Sequence, residues 1–397
     1  MKNPLKLIFV ILSFFQFLFP IEYNWSYIRS ELNPINLIPL DEKVVASYNS
    51  FIVEYDYDGN ILERIDLKER YNFNSIVNIE ADLFNNIWII SSDGEIFVLD
   101  ADYNLKKTFN YLGVDRVESC LNYQNSDDVY SLCSYIDGGN LGLLSFIYNS
   151  NGVPQYMDYY SLSEGANYVD MEIVDGIIYV ATNVGIYVAD INSNLKLPSS
   201  WNLNFSEATI LALEQYNNMI IILTAENDNI NILDENSNIL SGGTIEEPPI
   251  NFLDSKVRGD YLSLLFNNNL LYYEIEPSLE FNFLESKELD NSTYNLLSVN
   301  DNYILTSITN QGFLVYDGDL NEQHIISNTS SMDAYNAIVS LEDGSMAAIG
   351  TKLNEDQSVD FAGILHYDNG LFINYVPSYF ENKYKIDLED NFNLIAL

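Results

Sequence analysis

Histidine is nearly absent: His324 and His366 are the only two in 397 residues. They fall in different predicted strands, so a Ser-His-Asp triad or a histidine-rich metal centre is all but excluded on supply. His366, between Leu365 and Tyr367, reads as a strand residue. Cysteine is as scarce, with Cys120 and Cys133 alone; a zinc or redox site needs more ligands or a C-x-x-C motif. Basic residues are few as well, 17 Lys and Arg against 58 Asp and Glu, for a net charge of -41. Such a surface repels phosphate backbones and anionic headgroups, which makes nucleic acid and anionic membrane poor partners. The acidity itself reads as solubility, with recruitment of cations or basic partners as the other use of it. Long helix-forming runs are missing after the N-terminus.

One long apolar run exists. Lys2 and Lys6 precede Leu7 to Phe19, and Pro20 follows. A run of about 13 residues behind basic residues has the form of a secretory signal and is short for a membrane span. The expectation is a signal over residues 1–21 and a mature chain over 22–397, secreted, periplasmic or on the outer cell surface, with no membrane insertion after cleavage. An uncleaved anchor is the alternative.

Strand formers are abundant: apolar residues make up 47%, aromatics 14%, and there are 30 Tyr. The cleanest pattern runs from Asp175 to Asn194, D-G-I-I-Y-V-A-T-N-V-G-I-Y-V-A-D-I-N-S-N, two short apolar runs written as a tight antiparallel hairpin. Related strands begin at Lys43, Ile87, Val129, Ile177, Met219, Tyr261, Tyr303 and Met346, with gaps of 44, 42, 48, 42, 42, 42 and 43 residues. An acidic turn keeps step with them, at Asp56 to Asn60, Asp100 to Asn104, Asp190 to Asn194, Asp234 to Asn238 and Asp317 to Asn321. In the second unit four strands are predicted, Ile76 to Glu80, Ile87 to Ser91, Glu95 to Leu99 and Leu105 to Asn110. Four antiparallel strands in every period of about 42 residues define a blade of a β-propeller, because one such sheet must pack both faces against neighbours around a ring. The predicted fold is all-β, a single propeller of about eight blades, with seven or nine admitted. Tyr384 to Asp390 and Asn391 to Leu397 read as two strands of a ninth unit. They either close the ring with a strand around Trp25 or mark a longer protein. Cys120 and Cys133 face one another across a predicted hairpin, as a disulfide or as two buried thiols.

Asn85-Asn86-Ile87-Trp88-Ile89-Ile90 and Ile178 to Tyr187 resemble the bacterial two-component-regulator propeller repeat, D-x-x-G-N-I-W-I-G-T-x-x-G-L. Signal, aromatic lead-in strand and propeller together look like the N-terminal part of type IX secretion surface-propeller proteins. The repeat defines no catalytic residue, and none is carried over. The repeat array, the export signal and the lack of a concentrated catalytic set point to a non-catalytic scaffold that binds a protein or glycan at the cell exterior; the resemblance adds a link to type IX secretion, or the sensor ectodomain of a longer regulator.

Carboxylates are plentiful, so a paired-acid glycosidase or lyase stays open as the alternative function. Most acids lie in turns, where Asp and Asn bond their own backbone. The Asp56 to Asn60 turn lacks the spacing of an EF-hand and admits a weak surface calcium ion at most; no other cofactor or metal is expected. Joins between strands one and two, and three and four, share one face with the acidic turns. The opposite face carries longer joins with aromatics: Tyr71, Phe73, Trp201, Phe205, Tyr379 and Phe380. These are the candidate binding residues for a protein or polysaccharide partner, and packing between blades is the plainer role for each. No catalytic residue is assigned.

Overall fold

The computed structural model describes residues 31–375, apart from short internal stretches. The predicted signal, Trp25, Tyr379, Phe380 and the predicted strands of a ninth unit lie outside the described residues. Eight four-stranded antiparallel sheets follow one another along the chain, each with its strands in sequence order. They span residues 36–66, 76–109, 116–164, 168–204, 210–244, 252–288, 294–325 and 335–375, and are numbered blades 1 to 8 below. Six of the predicted repeat starts fall on a second strand, and Lys43 and Tyr303 lie one residue before theirs, Val44–Ser47 and Ile304–Ile308.

The described residues form two compact units. Blades 1 to 7 make one, residues 31–328, and blade 8 lies in the other. In the first unit, first strands neighbour first strands around the ring, from Asn36–Pro39 through each blade to Tyr294–Val299, which lies against Asn36–Pro39 again. Seven buried apolar clusters fill the seven gaps between consecutive sheets, and one of them joins blade 7 to blade 1. That cluster brings Val44, Ala46, Val53 and Tyr55 against Leu305, Phe313, Val315 and Ile325. The Gly312 amide adds a hydrogen bond of 2.9 Å to the Leu32 carbonyl. The seven-sheet ring therefore closes by direct packing of its first and last sheets.

Burial on both faces of each sheet dictates this arrangement. Second and third strands such as Ile87–Ser91 and Ile96–Leu99 are buried along their whole length, whereas the outermost Phe281–Glu288 is exposed at most positions. A sheet buried on both faces reads as continuous apolar runs, and its outer edge turns polar.

The acidic turns are local devices. Asp56 accepts the Asp58 and Asn60 amides at 3.0 and 2.7 Å and the Asn60 side chain at 2.8 Å. Asp100, Asp234 and Asp317 hold their Asn four residues on in the same way. The residue before that Asn has positive φ, 85° at Gly59 and 56° at Leu320. In blade 2 the same turn explains the Trp motif. Asn85 takes the left-handed position at φ 58°, where the repeat pattern has Gly. The Asp82 carboxylate meanwhile accepts the Asn86 amide at 2.8 Å and the Trp88 indole N–H at 3.0 Å. Trp88 is 1% exposed and stacks among Phe109, Phe146 and Tyr148, coupling blade 2 to blade 3.

Blade 3 differs from the rest. Its strands run for 10, 10, 9 and 11 residues. Cys120 and Cys133 are cross-strand partners in its first hairpin and are joined as a disulfide.

Candidate binding site

Two places in the seven-blade unit gather polar chemistry. The first is the ring centre. A register shift recurs in the first strand of blades 2, 4, 5, 6 and 7. Such a bulge re-aims the residue beside it. Asp170 and Asp254 stand at that position, and each reaches to the next blade, accepting the Leu213 amide at 3.0 Å and the Leu297 amide at 2.8 Å. Glu80 likewise accepts the Cys120 amide at 3.0 Å, and Glu214 accepts the Val257 amide at 3.3 Å. These carboxylates pin neighbouring blades together through hydrogen bonds to main-chain amides in the first strand of another blade.

Lys256 sits among them, its Nζ 3.3 Å from Glu214 and 3.6 Å from Asp254. Its side chain is 38% exposed while that of Glu214 is 6% exposed. Burial pushes the Glu214 carboxyl up to about 7 against the pull of Lys256. Glu80 is also lifted to about 7 by burial, opposed by its bond from the Cys120 amide. Asp170 is raised by burial, and Glu172 is raised well above the usual range by burial and then by the charge of Glu214. Lys256 is held well above its usual value, because Glu214, Asp254 and Asp170 outweigh its desolvation. The centre is thus an acid cluster wired into the blades around one lysine. Among the described residues, no group of three or more His, Cys, Asp and Glu side chains is placed to hold a metal ion.

The second place is a recess of about 230 Å³ beside blade 3. Leu112, Gly113 and Val114, from the join between blades 2 and 3, form one wall. Tyr135, Asp137, Leu144, Tyr156 and Tyr159 of blade 3 form the rest. Asp137 ends the second strand where the hairpin to the third begins, which places that end of the recess on the face of the longer joins. Tyr156 and Tyr159 are 45% and 57% exposed, whereas Tyr135 is 7% exposed.

The aromatics predicted from sequence are placed differently. Phe73 is 2% exposed in the core between blades 1 and 2, against which Tyr71 packs. The Tyr71 hydroxyl donates to the Tyr103 carbonyl at 2.6 Å. Trp201 packs on the core between blades 3 and 4, its indole N–H bound to the Leu195 carbonyl at 3.0 Å. It belongs to the join between the third and fourth strands of blade 4, on the face of the acidic turns, and this corrects its assignment to the opposite face. The fourth strand, Asn202–Asn204, is only three residues long, too short to be read from sequence, and it separates Trp201 from Phe205. Phe205 does follow that strand, at φ 55°, and packs on the core between blades 4 and 5. In blade 8, His366 Nε2 lies 3.2 Å from Ser345 Oγ, and Ser345 is 2% exposed.

The fold defines a β-propeller. No protein-family model matches the chain, and no curated protein matches it. Solved structures do. PorZ, an essential bacterial surface component of the type IX secretion system of Porphyromonas gingivalis, is similar with a TM-score of 0.63 at 12% identity, over 89% of this chain and 46% of that one. The chain thus spans about half the length of that neighbour. Virginiamycin B lyase of Staphylococcus aureus is similar with a TM-score of 0.53 at 11% identity, over 71% of this chain and 94% of that one. The AfRom2 CNH domain gives 0.53 at 10%, over 75% and 95%. At these identities the likeness is one of fold.

Proposed function

We propose that this chain is a non-catalytic β-propeller of the cell exterior, exported behind the signal at its N-terminus, and that it binds a protein or glycan partner on the face of the longer joins. The observation that carries the reading is the recess of blade 3, where three tyrosines and a carboxylate converge on open space. The ring centre, by contrast, spends its acids on neighbouring blades. A role at the bacterial surface linked to type IX secretion is the finer reading, supported by the resemblance of the repeats and by the similarity to PorZ. Among the described residues no helix is long and apolar enough to cross a membrane.

One observation favours a second reading. The Glu172 carboxyl makes no hydrogen bond among the described residues and lies within the field of Glu214, both carboxyls being raised. A hydrolase or lyase acting on polysaccharide would take Glu172 as its acid.

The test immobilises the full chain and passes over it a cell-surface extract, protein and polysaccharide together, from the bacterium that makes it. The chain should retain material that a Tyr156→Ala, Tyr159→Ala double variant releases. Equal retention by both would refute the face assignment. Reproducible turnover of a polysaccharide, lost in Glu172→Gln, would replace the scaffold by the enzyme.

A further inference from the structure

We propose that the recess of blade 3 binds a single pyranose ring of an uncharged glycan. The proposal rests on the reading of this face as the binding face and names what the face takes.

Size sets the first bound. At about 230 Å³ the recess falls below the range of roughly 300–1,000 Å³ typical of pockets for drug-sized ligands, which leaves room for one sugar ring and not for a stretch of peptide.

The polar groups set the second. Tyr135, Tyr156 and Tyr159, each carrying a hydroxyl, line the recess together with Asp137 and its carboxylate. None of these four groups makes a hydrogen bond to protein among the described residues, although Tyr135 is 93% buried by its 7% exposure. A phenol both donates and accepts, and a carboxylate accepts. An apolar occupant would leave all four groups without partners, a cost that argues against it. An anionic sugar would meet Asp137 and the charge of -41. A ring bearing several neutral hydroxyls satisfies donors and acceptors together, and the exposed faces of Tyr156 and Tyr159 suit its C–H surface.

The third observation is that the recess is built. Gly142 is the cross-strand partner of Tyr135, inside a strand and outside any turn. Glycine there weakens a sheet and marks a close approach. A Cβ at Gly142 would stand 2.5 Å from the Tyr135 hydroxyl and 2.5 Å from the Tyr160 carbonyl oxygen. The missing side chain is what makes room for the Tyr135 ring and hydroxyl over this strand. The disulfide between Cys120 and Cys133 holds the strands beneath, and Leu144, the partner of Cys133, forms part of the lining.

The experiment titrates the full chain with methyl glucoside, galactoside, mannoside and N-acetylglucosaminide, followed by calorimetry and by ligand-observed NMR. Glucuronate and tetramethylammonium serve as the anionic and cationic comparisons. At least one neutral glycoside should saturate with a Kd of about 0.1–10 mM, a normal strength for one small ring. Tyr135→Phe, which keeps the ring and removes the hydroxyl, should weaken it about 5–10-fold. Tyr159→Ala, at an exposed position, should weaken it at least as much with an unchanged circular dichroism spectrum. The proposal is overturned if no neutral glycoside saturates in that range. It also falls if glucuronate or tetramethylammonium binds as tightly, or if both variants bind as the parent does. If the glycosides fail while retention of surface material still depends on Tyr156 and Tyr159, the sugar assignment falls and the scaffold reading stands.

Discussion

Replacing Glu214 by Gln should flatten the pH dependence of stability. In the folded ring the Glu214 carboxyl is held near 7, against an ordinary value of 4.5, because burial outweighs the attraction of Lys256. A carboxyl raised on folding holds its proton more tightly in the native state than in the unfolded one. Its ionisation therefore destabilises the ring fully above about pH 7, and the cost is relieved as pH falls from 7 towards 4.5. That interval corresponds to a ceiling of about 3 kcal/mol for Glu214 alone, and coupling to Glu80, Asp170 and Glu172 spreads the titration over the cluster. Lys256 stays charged throughout, its own value being raised. Asp56, lowered by its own turn, loses its proton below the window. Acidification also relaxes the general repulsion of a chain with 58 acidic residues, which stabilises parent and variant alike. The difference between them isolates the site. Urea unfolding followed by tyrosine and tryptophan fluorescence should show the parent gaining about 1–3 kcal/mol on the variant between pH 8 and pH 5.5. Parallel curves for the two proteins across that range would refute the account of the ring centre.

Three further outcomes are expected. Gly312→Ala should destabilise the seven-blade unit by about 2–4 kcal/mol, since a Cβ there would stand 2.2 Å from the Ile325 carbonyl oxygen at a φ of 83°; thermal unfolding reads it. Reducing the Cys120–Cys133 bridge, which closes a separation of 13 residues, should lower stability by about 3 kcal/mol on the loop-closure argument, measured by urea midpoints with and without reductant. Asp82→Ala should cost about 2 kcal/mol or more and shift the tryptophan emission, because it strips the Asn86 amide and the Trp88 indole of their shared acceptor.

The ring was legible in the sequence because a blade is a local object. Its strands pair with their neighbours in the chain, so period and turn chemistry survive as text. Ile87, Ile177 and Met219 start second strands as the repeat predicts. The Asp turns were legible for the same reason, since Asp56 and Asn60 lie four residues apart. The lining of the blade 3 recess and the packing of the predicted aromatics were not, because they depend on contacts across blades or across strands of one blade. Phe73 and Trp201 carry the sequence character of surface anchors and yet lie against cores built from two sheets. Tyr135, Tyr156 and Tyr159 are three tyrosines among 30. What singles them out is the longer period of their unit, 48 residues where its neighbours have 42, and a glycine inside a strand at Gly142. The acids at the ring centre carried a signal that was open to reading. Asp170 and Asp254 stand two periods apart, and the residues they reach, Leu213 and Leu297, follow at the same offset of 43.

The direct packing of blade 1 on blade 7 changes how the unit can break. A row of seven sheets has six seams and two ends, and a row frays from its ends. A ring of seven has seven seams and no end. To free one blade, two seams must part together, so damage at a single seam is contained by the other six until a second one yields. The join of Leu32 to Gly312 acts as the clasp of a necklace: the beads keep their order without it, but only the closed clasp makes each of them an interior bead.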